Sequence, residues 1–427
     1  MSLHDLISQY KDVSIRVLHT CTAESSVSAH NGYVTEDAYS LQHNISFFLQ
    51  QGRKSISFKT DVLDDDCLSK MLAQASSQLV SAPEDPDIPD FMCDAVAIVD
   101  DNRLQMYASS NVSKQSLCEM VLAMEDVVQS HSLASESSNA AFVQGERRLY
   151  ASGGIEKVER WTTSSISCIA LASGDGKIER DYDYLLSHNI LSIQNAQDVA
   201  TYACIEAKKR LGGRAIGTGK MRVIFSPRVA AHLLHNLLSF VDGMLIIRDA
   251  SMMKDKLGEQ VFSSKLSVLN DPLLLGGLES SLFDAEGTPT SQTYIVQDGV
   301  LCNFLTNQRV AHKLGVANNA NASSFQSVCS RNASILPGDA GNLISQVQDG
   351  VYVTEILGDG FSPLTGDTSH GIAGYKVENG ECVYPISGVT LAYNVVDFFR
   401  NCVIGSDFDK KYRVPSLLCD DITVAGA

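Results

Sequence analysis

Two histidines, His232 and His235, sit in the segment VIFSPRVAAHLLHNLLSFVDG. The segment reads as a strand (Met221 to Phe225), a turn at Ser226-Pro227 and an amphipathic helix. Three residues apart on a helix, the histidines share one face and could approach a single metal ion. A zinc peptidase of the H-E-x-x-H type needs histidines four apart and a glutamate beside the first as general base. Here Leu233 and Asn236 follow the histidines. The residues alone therefore predict a part-buried helix whose histidines bond locally.

Carboxylates offer two further candidates. RDYDYL alternates Asp181 and Asp183 with Tyr182 and Tyr184, which on a strand puts the acids on one face and the rings on the other. A paired acid site is conceivable, but a half-solvated strand is the expectation. FDAEGTPT places Asp284 and Glu286 ahead of a Gly-Thr-Pro turn, where a plain loop is expected. Gly174-Asp175-Gly176 and Gly212-Gly213 match neither the phosphate-binding P-loop nor the dinucleotide fingerprint, and read as turns. No G-x-S-x-G is present, and no assembled catalytic site is legible from motif chemistry.

The elements that must carry these residues follow from periodicity and turn signals. Residues 13 to 60 read as a β-meander, with turns at Asn31-Gly32 and Gly52. Asp64 to Asp66 then open a helix, and a proline- and acid-rich loop, SAPEDPDIPD, follows it. A short strand is expected at Ala95 to Val99. The next helix presents Leu117, Met120, Val121, Met124 and Val127 as one stripe. Two strand-rich segments come next, then a helix opened by Asn195 and closed by Gly212-Gly213. Beyond it the pattern is mostly strand, with turns at Asp298-Gly299 and Asn379-Gly380 and a helix over Leu391 to Cys402. The expected class is α+β, in two domains: 1–215, a β-meander and helix domain, and 216–427, a strand-rich domain.

Bulk properties set the limits. A chain of 427 residues is long for one core, and 44% hydrophobic with 19% charged residues suits a folded protein. A net charge of −17 opposes nonspecific nucleic-acid binding, since phosphates would repel it. The longest apolar stretch, Val229 to Ile247, is broken by His232, His235, Asn236 and Asp242, so no membrane span is expected. No basic-then-apolar leader opens the chain, and the eleven cysteines contain no CxxC pair. The expectation is a cytoplasmic protein with reduced thiols.

Read in order, several segments resemble the TldD/PmbA family, in particular its PmbA (TldE) branch. They include NGYVTEDAYSLQHNISFFLQQGRKSISFKTDVL, SSISCIALASGDGKIERDYDY, VIFSPRVAAHLLHNLLS, DPLLLGGLESSLFDAEGTPT and VYVTEILGDGFSPLTGDTSHGIAGYKVENGECVYPISGVTLAYN, closed by PSLLCDDITVAGA. The resemblance implies a pair of related subunits. A TldD-type subunit carries zinc on an H-E-x-x-x-H helix with a cysteine ligand near its C-terminus; a PmbA-type subunit lacks those ligands and completes a metallopeptidase acting on unfolded or extended peptides.

Aligned on Gly243, the zinc motif would fall on Leu234, His235 and Ser239. This implies a chain with no catalytic or metal-binding residue of its own and no cofactor, zinc being expected in the partner subunit. His232, His235, Asp284, Glu286, Gly287 and Thr288 become candidates for the wall of a substrate channel. Two alternatives stay open: a homodimer that binds peptides without cleaving them, and a homomeric metallopeptidase using His232, His235 and a further ligand. The chain departs from its branch where VANNANASSFQSVCSRNAS stands in place of a glycine-rich stretch, at about residues 315 to 335.

Overall fold

The computed structural model describes residues 3–90, 102–109, 111–174, 176–358 and 360–426. A short helix, α1 (Leu3–Ile7), precedes three antiparallel strands, β1 (Ser14–His30), β2 (Tyr33–Gln51) and β3 (Lys54–Thr60). The predicted meander is therefore present, with its turns where Asn31-Gly32 and Gly52 place them. After α2 (Asp65–Ser81) and α3 (Lys114–Ser130) come β4 (Ala134–Ala151), β5 (Ile155–Gly174), β6 (Lys177–Ser187) and α4 (Ile193–Lys209). The six strands form one antiparallel sheet in the order β3-β2-β1-β4-β5-β6. The strand expected at Ala95 to Val99 and Asp175 of the Gly174-Asp175-Gly176 turn lie outside the described residues.

Local chemistry accounts for the element ends. The Asp64 side chain accepts a hydrogen bond from the Cys67 N–H and so caps α2, as carboxylates at a helix start should. Helix α4 begins earlier than expected: Ser192 is its cap, and Asn195 is the third helical residue, bonding back to the Ser192 N–H in a capping box. On α3 the buried stripe ends on Val128 in place of Val127, because 3.6 residues per turn carries the face there from Met124. Asn31-Gly32, Asp298-Gly299 and Asn379-Gly380 all have positive φ at both residues. That is the geometry a two-residue hairpin turn requires.

The second half opens with β7 (Gly219–Phe225), α5 (Pro227–Phe240) and a single turn, α6 (Gly243–Ile246). Short strands β8 (Val268–Asn270), β9 (Thr293–Gln297) and β10 (Val300–Leu301) follow, with α7 (Gln308–Leu314), β11 (Ala322–Ser324), β12 (Ser327–Val328) and β13 (Ser334–Ile335). The long strands β14 (Asp349–Leu357), β15 (Asp367–Glu378) and β16 (Glu381–Asn394) lead to α8 (Val395–Asn401), β17 (Val403–Ile404) and β18 (Leu417–Ala425). Their sheet runs β16-β15-β14-β7-β18-β17, and β16 also pairs with β18, so the sheet curls onto itself. The helix expected from Leu391 starts only at Val395. Strand β16 holds the chain to Asn394, whose side chain then accepts from the Val396 and Asp397 N–H groups and caps α8.

Strands in runs with helices between them make the class α+β. One face of the first sheet carries α3 and α4 over a core including Val27, Phe142 and Ile166. A separate core packs α2 on Ile15, Val17 and Phe47. Leu18 and Leu149, on the opposite face, meet Phe283 and Phe325 from the second half. The largest core gathers α5 and α8 with the curled sheet around Phe225, Leu233, Phe240 and Phe398. Among the described residues no helix is long and apolar enough to cross a membrane.

Candidate functional site

Helix α5 is set by its sequence. Proline occupies its first turn, where the missing N–H costs nothing. Val229, Ala230, Leu233, Leu237 and Phe240 bury into the core, a stripe at helical spacing. That stripe turns His235 outward to the surface, while the His232 ring stays half-buried. The two rings are not brought onto one ligand. His232 lies edge-on to His370 of β15, with centroids 5.8 Å apart. His370 in turn accepts from the Gly360 N–H and contacts the Thr368 hydroxyl.

His235 faces a cleft of about 680 Å³ between the two halves of the molecule. Tyr184 and Leu186 of β6, Leu234 and His235 of α5, Leu278 and Lys411 are among its walls. Strand β6 is the last strand of the first sheet, so the cleft runs along a sheet edge.

Beneath that wall the RDYDYL strand is half-buried as expected, but its acids belong to an ion network. Asp181 is only 3% exposed. Its carboxylate accepts from Arg228 Nη1 at 2.9 Å and pairs with Arg210 Nη2 at 2.7 Å; Arg210 also pairs with Glu355. The Arg228 guanidinium stacks 3.7 Å above the Tyr182 ring. Asp183 pairs with Lys411, whose ammonium lies 4.0 Å from the Tyr184 ring centre. Buried charges survive only when paired in this way. Period-two alternation exposed the acids to view in the sequence. Arg210, Arg228 and Glu355 left no such signal, being far off along the chain.

The FDAEG loop is elsewhere and plays another part: Asp284, Glu286, Gly287 and Thr288 do not line the cleft. Asp284 is fully buried and accepts from the N–H groups of Glu286, Thr288 and Ala322. Glu286 accepts from the Gln308 N–H at the start of α7, a favourable place for a carboxylate. Gly287 turns the loop with φ +85°, and the Thr288 hydroxyl meets Asn318. Burial pushes the Glu286 carboxyl up to about 7 and raises Asp284 as well. Arg16 of β1 reaches this loop, donating to the Glu286 carbonyl and the Gln308 side chain.

The donor set on α5 does not fit zinc. Leu234, 4% exposed and part of the core, has no donor atom. Ser239 donates its hydroxyl to the Asn236 carbonyl, the ordinary local bond of a helical serine. Zinc takes three or four nitrogen, sulfur or carboxylate ligands, and His235 supplies one. Among the described residues no three His, Cys, Asp or Glu side chains converge on a point. Cys402 and Cys419 lie in the core, where burial pushes their thiols up to about 12 and about 11.

Residues 218–426 match the PmbA/TldA metallopeptidase C-terminal domain. The chain is 33% identical over 270 residues to the metalloprotease PmbA of Escherichia coli O157:H7, a match covering 62% of this chain and 59% of that protein. It is 27% identical over 329 residues to the PmbA homologue of Haemophilus influenzae, covering 76% and 72%. The chain thus spans less than two thirds of the E. coli relative. Its fold superposes on a modulator of DNA gyrase from Thermotoga maritima with a TM-score of 0.87, at 22% identity over 99% of this chain and 98% of that one. TldE of Thermococcus kodakarensis gives 0.86 at 13% identity, covering 99% of each chain. The second half of the chain thus matches the PmbA/TldA metallopeptidase C-terminal domain, and the chain as a whole is similar to PmbA proteins in sequence and to TldE in fold.

Proposed function

We propose that this chain is the metal-free subunit of a cytoplasmic peptidase, paired with a zinc-bearing TldD-type subunit and helping to hold an extended peptide. What fills α5 carries this reading. The positions aligned with a zinc motif hold a core leucine (Leu234), a surface histidine (His235) and a serine bonded within its own helix (Ser239). Their side chains are committed to packing and to helix bonds, not to a ligand sphere. The cleft supports a binding role: an extended peptide laid along β6 could pair its backbone with the sheet edge, with Leu186, Leu234 and Leu278 as apolar neighbours.

The test is zinc content and peptidase activity of the purified chain, alone and mixed with a TldD-type subunit. The expected result is substoichiometric zinc and no turnover alone, with activity appearing only in the mixture. His232→Ala and His235→Ala should leave the zinc content of the mixture unchanged. Stoichiometric zinc in the isolated chain, lost in those two variants, would overturn the proposal.

A further inference from the structure

His188 follows directly on β6 and is 4% exposed. Its Nδ1 lies 2.6 Å from the Thr162 carbonyl of β5, and its Nε2 lies 3.0 Å from the Gly277 carbonyl of the second half. A carbonyl oxygen only accepts, so both ring nitrogens must carry hydrogen, and only the imidazolium does. In either neutral tautomer one nitrogen would turn a lone pair on an oxygen at hydrogen-bond distance. The Thr162 hydroxyl donates to the His188 carbonyl at 2.6 Å, which fastens the backbone here to β5 as well.

Both ends of this bridge adjoin the cleft. Thr163 lines it from β5, and the loop 271–280 forms a wall of it through Leu274, Gly276, Gly277, Leu278 and Glu279. The base of the loop is fixed within the second half: Asn332 donates to the Asp271 carbonyl and accepts from the Glu279 N–H. Its outer turn is tied to the first half by the Gly276 N–H, which donates to the Leu104 carbonyl, and by His188. A second cavity, of about 320 Å³, adjoins the cleft at Leu278 and Glu279. The titratable groups that meet His188 there are Arg147, Glu159, Glu279, Cys329 and Arg331, and the segment 102–109 adds only Met106. Glu159 is paired with Arg147, and Arg331 donates to the Ala320 and Ala322 carbonyls. Glu279 carries no ion pair among the described residues, so an acid stands in the same cavity to offset an imidazolium.

We propose that His188 is a positioning residue for the cleft: as an imidazolium it ties Thr162 to Gly277 and holds the loop 271–280 as a wall, and loss of its proton releases that wall. The proposal rests on the reading of the cleft as the place of an extended peptide. The bond to Thr162 is the shorter, so the last proton stays on Nδ1 and Nε2 is left facing the Gly277 carbonyl with a lone pair. A charge-assisted bond is then exchanged for a repulsion at the outer turn. That turn gives way readily, because Leu273, Leu275 and Leu278 are exposed and little packing holds it. Peptide is held tightly while His188 is charged and weakly once it is neutral.

Trp161 is the single tryptophan of the chain and lines the cavity with His188, so its fluorescence reports the bridge without any ligand. The full chain is titrated from about pH 5 to about pH 8, bracketing the ordinary imidazole value of about 6.5. A sigmoidal change in emission is expected for the wild type. It should vanish in His188→Gln, which never carries charge, and in His188→Arg, which donates from two sides at every pH. Cys329→Ser should leave it in place, as should Glu286→Gln, which removes the buried carboxyl pushed up to about 7. The second readout is anisotropy of a short fluorescein-labelled peptide of alternating leucine and serine. Its affinity should fall about tenfold across the same interval in the wild type. It should stay weak in His188→Gln and tight in His188→Arg, and His235→Ala should keep the pH dependence. No transition in the wild type, a transition kept by both His188 variants, or peptide binding without pH dependence would each overturn the proposal. A Trp161 transition that follows His188, with no peptide bound at any pH, would uphold the bridge and refute the peptide role of the cleft.

Discussion

At the scale of single residues, the chemistry of this chain is mostly that of buried acids made safe. Glu286 shows it most clearly. Its carboxyl is pushed from an ordinary 4.5 up to about 7 by burial, so the folded state holds the proton more firmly than the unfolded chain. The folded form then binds more protons between those two values, and stability falls as pH rises through that window. The stabilisation is fully present below about 4.5 and gone above about 7. Glu286→Gln keeps the shape without the proton exchange. Denaturant midpoints measured from pH 4.5 to 7.5 should fall for the wild type and stay flatter for the variant; parallel curves would refute the assignment. His235 and Leu234, by contrast, were legible from the sequence in type but not in orientation. Spacing put both histidines on one helical face, yet only the fold shows that His232 turns to His370 while His235 faces the cleft.

At the scale of elements, strand β6 and helix α5 form the cleft because a network of charges locks them together. Asp181→Ala would remove the acid that Arg210 and Arg228 share, leaving Glu355 to pair with Arg210 only. Removing one member of a buried pair typically costs about 3 to 5 kcal/mol. Thermal unfolding should register that loss, whereas Asp183→Ala, whose partner Lys411 is part-exposed, should cost about 1 kcal/mol or less. Equal effects would show that burial of Asp181 is not what matters. The elements themselves were largely readable: hairpin turns from Asn-Gly and Asp-Gly, helices from stripes and caps. The misplacements have local causes. A serine three residues upstream of Asn195 captured the start of α4, and sheet pairing with β15 and β18 outcompeted helix formation from Leu391 to Asn394. Buried charge pairs were not readable, because partners drawn from distant segments leave no periodic mark where each one stands.

At the scale of the whole molecule, the two halves are joined by arginines that reach out of the first sheet. Arg147 bonds the Phe283 carbonyl and the Ser281 hydroxyl and pairs with Glu159 at 2.5 Å; Arg16 stacks on Phe48 and Phe325. Arg147→Met would keep the apolar stem and strand Glu159, which is 4% exposed. Unfolding should then shift to lower denaturant by a few kcal/mol, about the cost of an unpaired buried charge. A change within error would mean that the Arg147–Glu159 pair contributes nothing to holding the halves together.

The Asp181 network also dictates an order of events during synthesis. Asp181 emerges first, its partners Arg210 and Arg228 follow, and Glu355 arrives only after a further long stretch of chain. Before Arg210 and Arg228 are made, the last strand of the first sheet carries an acid among tyrosines with neither counter-charge in place. That acid, kept hydrated while its counter-charges are still missing, would discourage the open strand from collecting the wrong neighbour, and its burial would come as one of the closing steps of assembly.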